Sequence, residues 1–140
     1  VLRSFGKFYG LAGVRLGFAV AGRDLVAELS AALGPWAVAG PTIAVGKQAL
    51  ADVEWRTETR ARLAEAAQRL TERLRDAGLG VVGGTSLFVL ACSPDAQDHY
   101  RALGQAGILV RRFPEHSNWL RFGLPGSAGD WARLETALRG

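Results

Sequence analysis

One long amphipathic stretch constrains this chain more than any other feature. Between Asp52 and Ala77, residues Trp55, Thr59, Leu63, Ala66, Leu70, Leu74 and Ala77 recur three or four positions apart. That spacing places them on one stripe of an α-helix that must be buried. Gly78 is the expected stop. The segment carries six arginines and six acids, which cancel. Glu58 with Arg62 and Glu65 with Arg69 are ordered as i,i+4 pairs on the wet side. The helix is therefore read as structural, with no chemistry assigned to its charges.

A stripe of this length needs a partner layer, and the flanking segments supply it. After Gly78, strands are expected at Leu79 to Val82 and Ser86 to Cys92, a helix at Pro94 to Ala106, strands at Ile108 to Phe113 and Trp119 to Leu124, and a closing helix from Ala128 to Leu138. The result is an α+β unit, a sheet of short strands with helices on one face. Before the long helix, Val1 to Phe5 and Arg15 to Ala21 read as strands around a glycine-punctuated loop. Asp24 is expected to cap a helix running to Leu33, and Pro41 to open another ending at Ala51. The junction near Ala51 to Trp55 divides the chain into residues 1–51 and a smaller complete domain, 52–140. The overall class is α/β.

Composition narrows the function classes. The chain has 140 residues, is 49% hydrophobic and 21% charged, and holds a single cysteine. It can bury a core, and it has no intramolecular disulfide framework. No signal peptide and no run of about 18 apolar residues is present, so a cytoplasmic chain without a membrane partner is expected. The net charge is +4; Arg3, Lys7, Arg15 and Arg23 precede the first acid, but there is no block of like charges and no basic run interleaved with aromatics, which argues against nucleic acid. There is no metal-ligand spacing; His99 and His116 read as isolated surface residues, and Cys92 as a buried thiol. The chain contains no methionine. Val1 is thus expected to be a processed end or a cut within a longer protein.

The chemistry is concentrated in Arg3 to Gly17. Lys7 stands in an apolar, aromatic loop, where desolvation would favour the free amine needed for a Schiff base. Ser4 offers a hydroxyl three residues earlier. Arg15 offers a planar fork eight residues later, and the two suit a phosphate dianion. Gly10 and Gly13 would permit the tight turn between them. The alternative is a solvated loop lysine and an ordinary surface arginine. On the last strand, Trp119, Arg121 and Gly123 share the face opposite Leu120, Phe122 and Leu124. Arg121 therefore points away from the core, with room beside Gly123 for a carboxylate; a water-facing strand arginine is the alternative. Arg111 lies opposite Ile108 and Val110, with Arg112 as its competitor for an anion.

The run S-F-G-K-F-Y-G-L-A-G-V-R-L-G-F resembles the cofactor-lysine segment of fold-type-I pyridoxal-phosphate enzymes, in the class I/II aminotransferase branch containing histidinol-phosphate aminotransferase. Ser4, Lys7 and Arg15 all fall in register, although Gly6 replaces a serine common before the lysine, removing one phosphate contact. Gly34-Pro35-Trp36-Ala37-Val38, the G-I-L-V-R segment ending at Arg111, and Trp119-Leu120-Arg121-Phe122-Gly123-Leu124-Pro125 extend the resemblance. Together they are most similar to the threonine-phosphate decarboxylases of cobalamin biosynthesis.

The resemblance implies the C-terminal part of the fold-type-I transferase fold. Residues 1–51 would be a remnant of the large cofactor-binding domain. Lys7 would hold pyridoxal 5'-phosphate and Ser4 and Arg15 its phosphate. Arg121 would take the substrate α-carboxylate and Arg111 the substrate phosphate. It implies decarboxylation of L-threonine O-3-phosphate to (R)-1-aminopropan-2-yl phosphate by a homodimer. The alternatives are transamination of a histidinol-phosphate-type substrate, or a non-catalytic interaction module. In relatives the aspartate facing the pyridine nitrogen, the stacking aromatic ring and further phosphate contacts precede the lysine. The 140 residues alone are therefore expected to have little or no activity.

Overall fold

The computed structural model describes residues 1–139. The chain forms two compact units, Val1–Arg56 and the residues from Thr57 onward.

In the first unit, β1 (Leu2–Ser4) and β2 (Gly17–Ala19) form an antiparallel pair in which Leu2 faces Ala19, Arg3 faces Phe18 and Ser4 faces Gly17. Both strands are shorter than their sequence suggests. The second starts late because Arg15 adopts a left-handed conformation, φ 55° and ψ 42°, which interrupts extended backbone. Helix α1 (Arg23–Leu33) follows. Its N-cap is Gly22, without a side-chain bond, and Asp24 lies in the first turn instead. There the carboxylate still faces the positive end of the helix dipole. Gly34 closes the helix at φ +67°, and Trp36 follows at φ +69°, 94% exposed.

Helix α2 (Gly40–Ala51) begins with Pro41 in its first turn, where no amide is needed. Thr42 Oγ1 donates to the Val14 carbonyl at 3.1 Å. Gly46 is buried against Leu16, and a Cβ there would overlap the leucine side chain. These contacts tie α2 to the loop between β1 and β2. Little else in this unit is buried. Sixteen large apolar side chains are exposed among the described residues, and fourteen of them belong to this unit, including Leu25, Val26, Leu29 and Leu33 of α1.

Helix α3 (Val53–Asp76) starts in the first unit and continues into the second. Asp52 Oδ1 accepts from the Trp55 amide at 2.9 Å, satisfying one of the orphan donors of its first turn. Gly78, at φ +80°, ends it as expected. The remaining elements are β3 (Gly80–Gly84), β4 (Phe88–Cys92), α4 (Ala96–Gln105), β5 (Arg111–Phe113), β6 (His116–Gly123) and α5 (Ala128–Arg139). The four strands form an antiparallel sheet in the order β3-β4-β6-β5.

Val89 pairs with Phe122 and Ala91 with Leu120, so these four share one sheet face. They join Leu70 and Leu74 of α3, Leu103 of α4, and Trp131 and Leu134 of α5 in a single core. All three helices therefore cover the same face, and the other face carries no helix of this unit. The long stripe is borne out along most of its length: Thr59, Leu70 and Leu74 are buried, and Leu63, Ala66 and Ala77 partly so. The expected i,i+4 pairs do not form. Arg69 and Arg73 instead both donate to Glu135 Oε1 on α5, each at 3.0 Å. An exposed i,i+4 pair contributes only about 0.3–0.5 kcal/mol, and two fixed donors on one carboxylate outcompete it. Ser127 and Asp130 cap α5 reciprocally, with the Ser127 amide and hydroxyl donating to Asp130 and the Asp130 amide donating back.

Candidate functional site

Two groups of candidate side chains emerge, one in each unit. In the first, Lys7 sits on the turn that follows β1. The turn is closed by its own backbone: the Gly10 amide donates to the Lys7 carbonyl at 3.0 Å, and the Leu11 amide to the Phe5 carbonyl at 2.9 Å. Gly10 occupies φ +67°, which needs glycine, whereas Gly13 lies in a 3-10 turn (Ala12–Val14) without positive φ.

Aromatic rings hold this turn. Phe5 is only 2% exposed and stacks on Tyr9, centroids 4.5 Å apart and planes at 12°. Tyr9 stacks in turn on Trp55 at 5.7 Å and 14°. Phe8 meets Tyr9 and Trp55 edge-on, at 5.2 and 5.6 Å. Phe8 and Tyr9 thus pack onto Trp55 and not around the lysine amine. Lys7 itself is exposed, so the expected desolvation is not provided within this chain. Sequence periodicity placed Trp55 on the buried stripe of α3 and missed its role here. The only available signal was the aromatic density at Phe5, Phe8 and Tyr9, 46 or more residues away from it in the chain.

Ser4 and Arg15 lie at the same end of the β1–β2 ladder as Lys7. Ser4 pairs with Gly17, and the Phe5 amide donates to the Leu16 carbonyl at 3.1 Å. Ser4 Oγ accepts from the Gly6 amide at 3.1 Å, leaving its own proton to donate. Arg15 Nη1 donates to the Ala12 carbonyl at 3.1 Å, leaving the other guanidinium N–H groups. An amine, a hydroxyl and a guanidinium at one end of a hairpin are a donor set that fits an aldehyde bearing a phosphate.

In the second unit, Arg111 and Arg121 are direct cross-strand partners, and Leu90 opposes Arg121 on the other side. Both arginines therefore stand on the sheet face opposite the core. Two like charges directly opposite each other are destabilising unless an anion comes between them. Among the described residues no acidic group pairs with either. Arg112 faces the opposite way. It opposes Leu120, lies 4.3 Å over the Tyr100 ring and donates to Gln97 Oε1 at 3.3 Å. That geometry binds Arg112 to α4 and leaves Arg111 as the arginine on the face opposite the core.

Two minor expectations need correction. His116 has a partner, its ring stacked on Trp119 at 3.9 Å and 25°. Cys92 is only half-buried, because it opposes Trp119 on the sheet face opposite the core. No helix of the described residues is long and apolar enough to cross a membrane.

Comparison with known proteins converges on one group. The family model for aminotransferase class I and II matches residues 1–139. The chain is 46% identical over 140 residues to a threonine-phosphate decarboxylase of Pseudomonas aeruginosa, covering all of this chain and 42% of that protein. It is 38% identical over 112 residues to a histidinol-phosphate aminotransferase of Symbiobacterium thermophilum, covering 79% of this chain and 31% of that protein. The crystal structure of histidinol-phosphate aminotransferase from Sinorhizobium meliloti in complex with pyridoxal-5'-phosphate shares the fold. Its TM-score is 0.83 at 23% identity, over 98% of this chain and 39% of that one. The chain thus spans well under half the length of these relatives. With the lysine turn, the arginine-bearing sheet and a match over nearly every residue in agreement, the chain belongs to the aminotransferase class I and II family.

Proposed function

We propose that this chain supplies the lysine turn and the anion-holding sheet of a pyridoxal-phosphate-dependent decarboxylase acting on L-threonine O-3-phosphate. The observation that carries this reading is the Arg111–Arg121 pair. A substrate bearing both a carboxylate and a phosphate calls for two cations, and this sheet presents two adjacent ones without acidic partners among the described residues. The 46% identity to a threonine-phosphate decarboxylase supports the same substrate class.

Pyridoxal phosphate, when bound, supplies an electron sink for the pair left on the α-carbon as carbon dioxide departs. Lys7 Nζ would hold the cofactor aldehyde, with Ser4 and Arg15 on its phosphate. The Lys7 amine, in its protonated form, would return a proton to the α-carbon. Arg121 would pair with the α-carboxylate through two parallel N–H bonds, and Arg111 with the phosphate. The natural form in this reading is a cytoplasmic homodimer that makes an aminopropanol phosphate for cobalamin biosynthesis. Transamination of a histidinol-phosphate-type substrate is the second reading, supported by the identity to the Symbiobacterium enzyme.

Borohydride reduction with pyridoxal phosphate, followed by peptide mapping, is expected to place the adduct on Lys7 of a full-length homodimer. That protein should release carbon dioxide from L-threonine O-3-phosphate. Formation of a 2-oxo acid without carbon dioxide would transfer the assignment to the aminotransferase reading.

A further inference from the structure

Four arginines of the second unit lie over aromatic rings, and they fall into two classes. Arg69 is 4.1 Å over Trp131 and donates to Glu135; Arg112 is 4.3 Å over Tyr100 and donates to Gln97. In both, ring and acceptor together fix a structural link. Arg121 is 4.4 Å over Phe88 and Arg111 is 5.3 Å over Phe113, but neither meets a protein acceptor among the described residues. In these two the ring holds the guanidinium plane while its N–H edge stays available.

Phe88 is unusually well fixed for that task. It ends a tight turn in which the Thr85 amide donates to the Phe88 carbonyl at 2.8 Å. Thr85 Oγ1 accepts from the Leu87 and Phe88 amides at 3.1 and 3.3 Å. Across the sheet, Phe88 opposes Gly123, so no side chain competes for the space over its ring. Arg121 is its diagonal neighbour on β6, an interior strand of the sheet. Arg111 opposes Arg121 from β5, and like-charge repulsion acts across that pair. The ring on the β4 side supplies the counterweight.

We propose that Phe88 is a positioning residue that orders the Arg121 guanidinium for in-plane pairing with an oxyanion. The role of that anion rests on the reading of this sheet face as the substrate face. Ordering an arginine in advance removes part of the entropic cost of binding, which otherwise falls on the ligand. Loss of the ring should weaken oxyanion affinity about five- to thirty-fold.

The test uses nitrogen-15 relaxation at Arg121 Nε in the 140-residue chain, comparing the parent with Phe88→Leu, Phe88→Met and Phe88→Trp. Arg121 Nε order should fall in the leucine and methionine variants and be restored by tryptophan, while the β4 and β6 amide shifts stay in place. Unchanged Arg121 order in a folded leucine or methionine variant overturns the proposal. So does failure of tryptophan to restore it. Titration with O-phospho-L-threonine is read separately. If the parent shows no response at Arg111 or Arg121, the substrate reading fails, while the order comparison still decides what Phe88 does.

Discussion

Removing the Trp55 ring is the sharpest perturbation of the lysine turn. Trp55 stacks on Tyr9 at 5.7 Å and meets Phe8 edge-on at 5.6 Å. Each such aromatic pair contributes about 0.5–1.5 kcal/mol beyond the area it buries. Trp55→Ala should therefore cost the turn about 1–3 kcal/mol. The helix start should survive, because Asp52 Oδ1 bonds to the backbone amide at position 55 and not to the ring. Two amides report directly on the turn: Gly10, bonded to the Lys7 carbonyl, and Leu11, bonded to the Phe5 carbonyl. If the turn opens locally, their hydrogen exchange should accelerate about 10- to 100-fold, at ~1.4 kcal/mol per decade. Amides of the second-unit core, such as Ala91 and Leu120, serve as the unperturbed control. Trp55→Phe keeps an aromatic face and should fall between the two. Unchanged exchange at Gly10 and Leu11 in folded Trp55→Ala would refute the claim that this cluster holds Lys7 in place.

Other outcomes follow from the same geometry. A Cβ at Gly123 would meet nothing within 4 Å, so Gly123→Ala should leave melting unchanged yet weaken O-phospho-L-threonine binding in the full-length enzyme by filling the space beside Arg121 that the carboxylate would take. Leu70 is fully buried, and Leu70→Ala should destabilise the second unit by about 3–5 kcal/mol in denaturant titration. The Arg69 hydrogen bond, assisted by Arg73, holds the Glu135 carboxyl below its ordinary value of 4.5. Its contribution is full above that value and disappears as pH falls through the lower, folded value. Glu135→Gln should accordingly lower stability at neutral pH and flatten the acid limb of a stability-against-pH curve, the two proteins converging once the carboxyl is protonated. Finally, the 140 residues alone should show no turnover of L-threonine O-3-phosphate, measured as carbon dioxide release.

Local rules were sufficient where one helix met one core. The α3 stripe and the glycine stops at Gly78 and Gly107, both at positive φ, were legible because periodicity and backbone freedom act within a few residues. The face of Arg121 was legible too, since strand alternation fixes it once Leu120 and Phe122 are buried. Long-range choices were not. Trp55 could be counted on a helical stripe but not seen to stack on Tyr9, which is fixed by chain reversal and not by spacing. The solvation of Lys7 was misjudged for the same reason, because a run of aromatic neighbours says nothing of which way they face. Arg15 was read as a strand residue, and only the 3-10 turn before it forces the left-handed backbone. The direction taken by Arg112 turned on Gln97 and Tyr100, two residues of α4.

The hairpin that carries Lys7 separates chemistry from architecture. Within the turn, Lys7 contributes its main-chain carbonyl to the Gly10 amide, while shape is imposed by Phe5, Tyr9 and Trp55. Nearly any residue at position 7 could accept that bond, so the scaffold is blind to which side chain it displays. Selection can then replace the amine without first solving a folding problem. A lineage that changes this position would keep an intact hairpin, ready to present a different group at the same place.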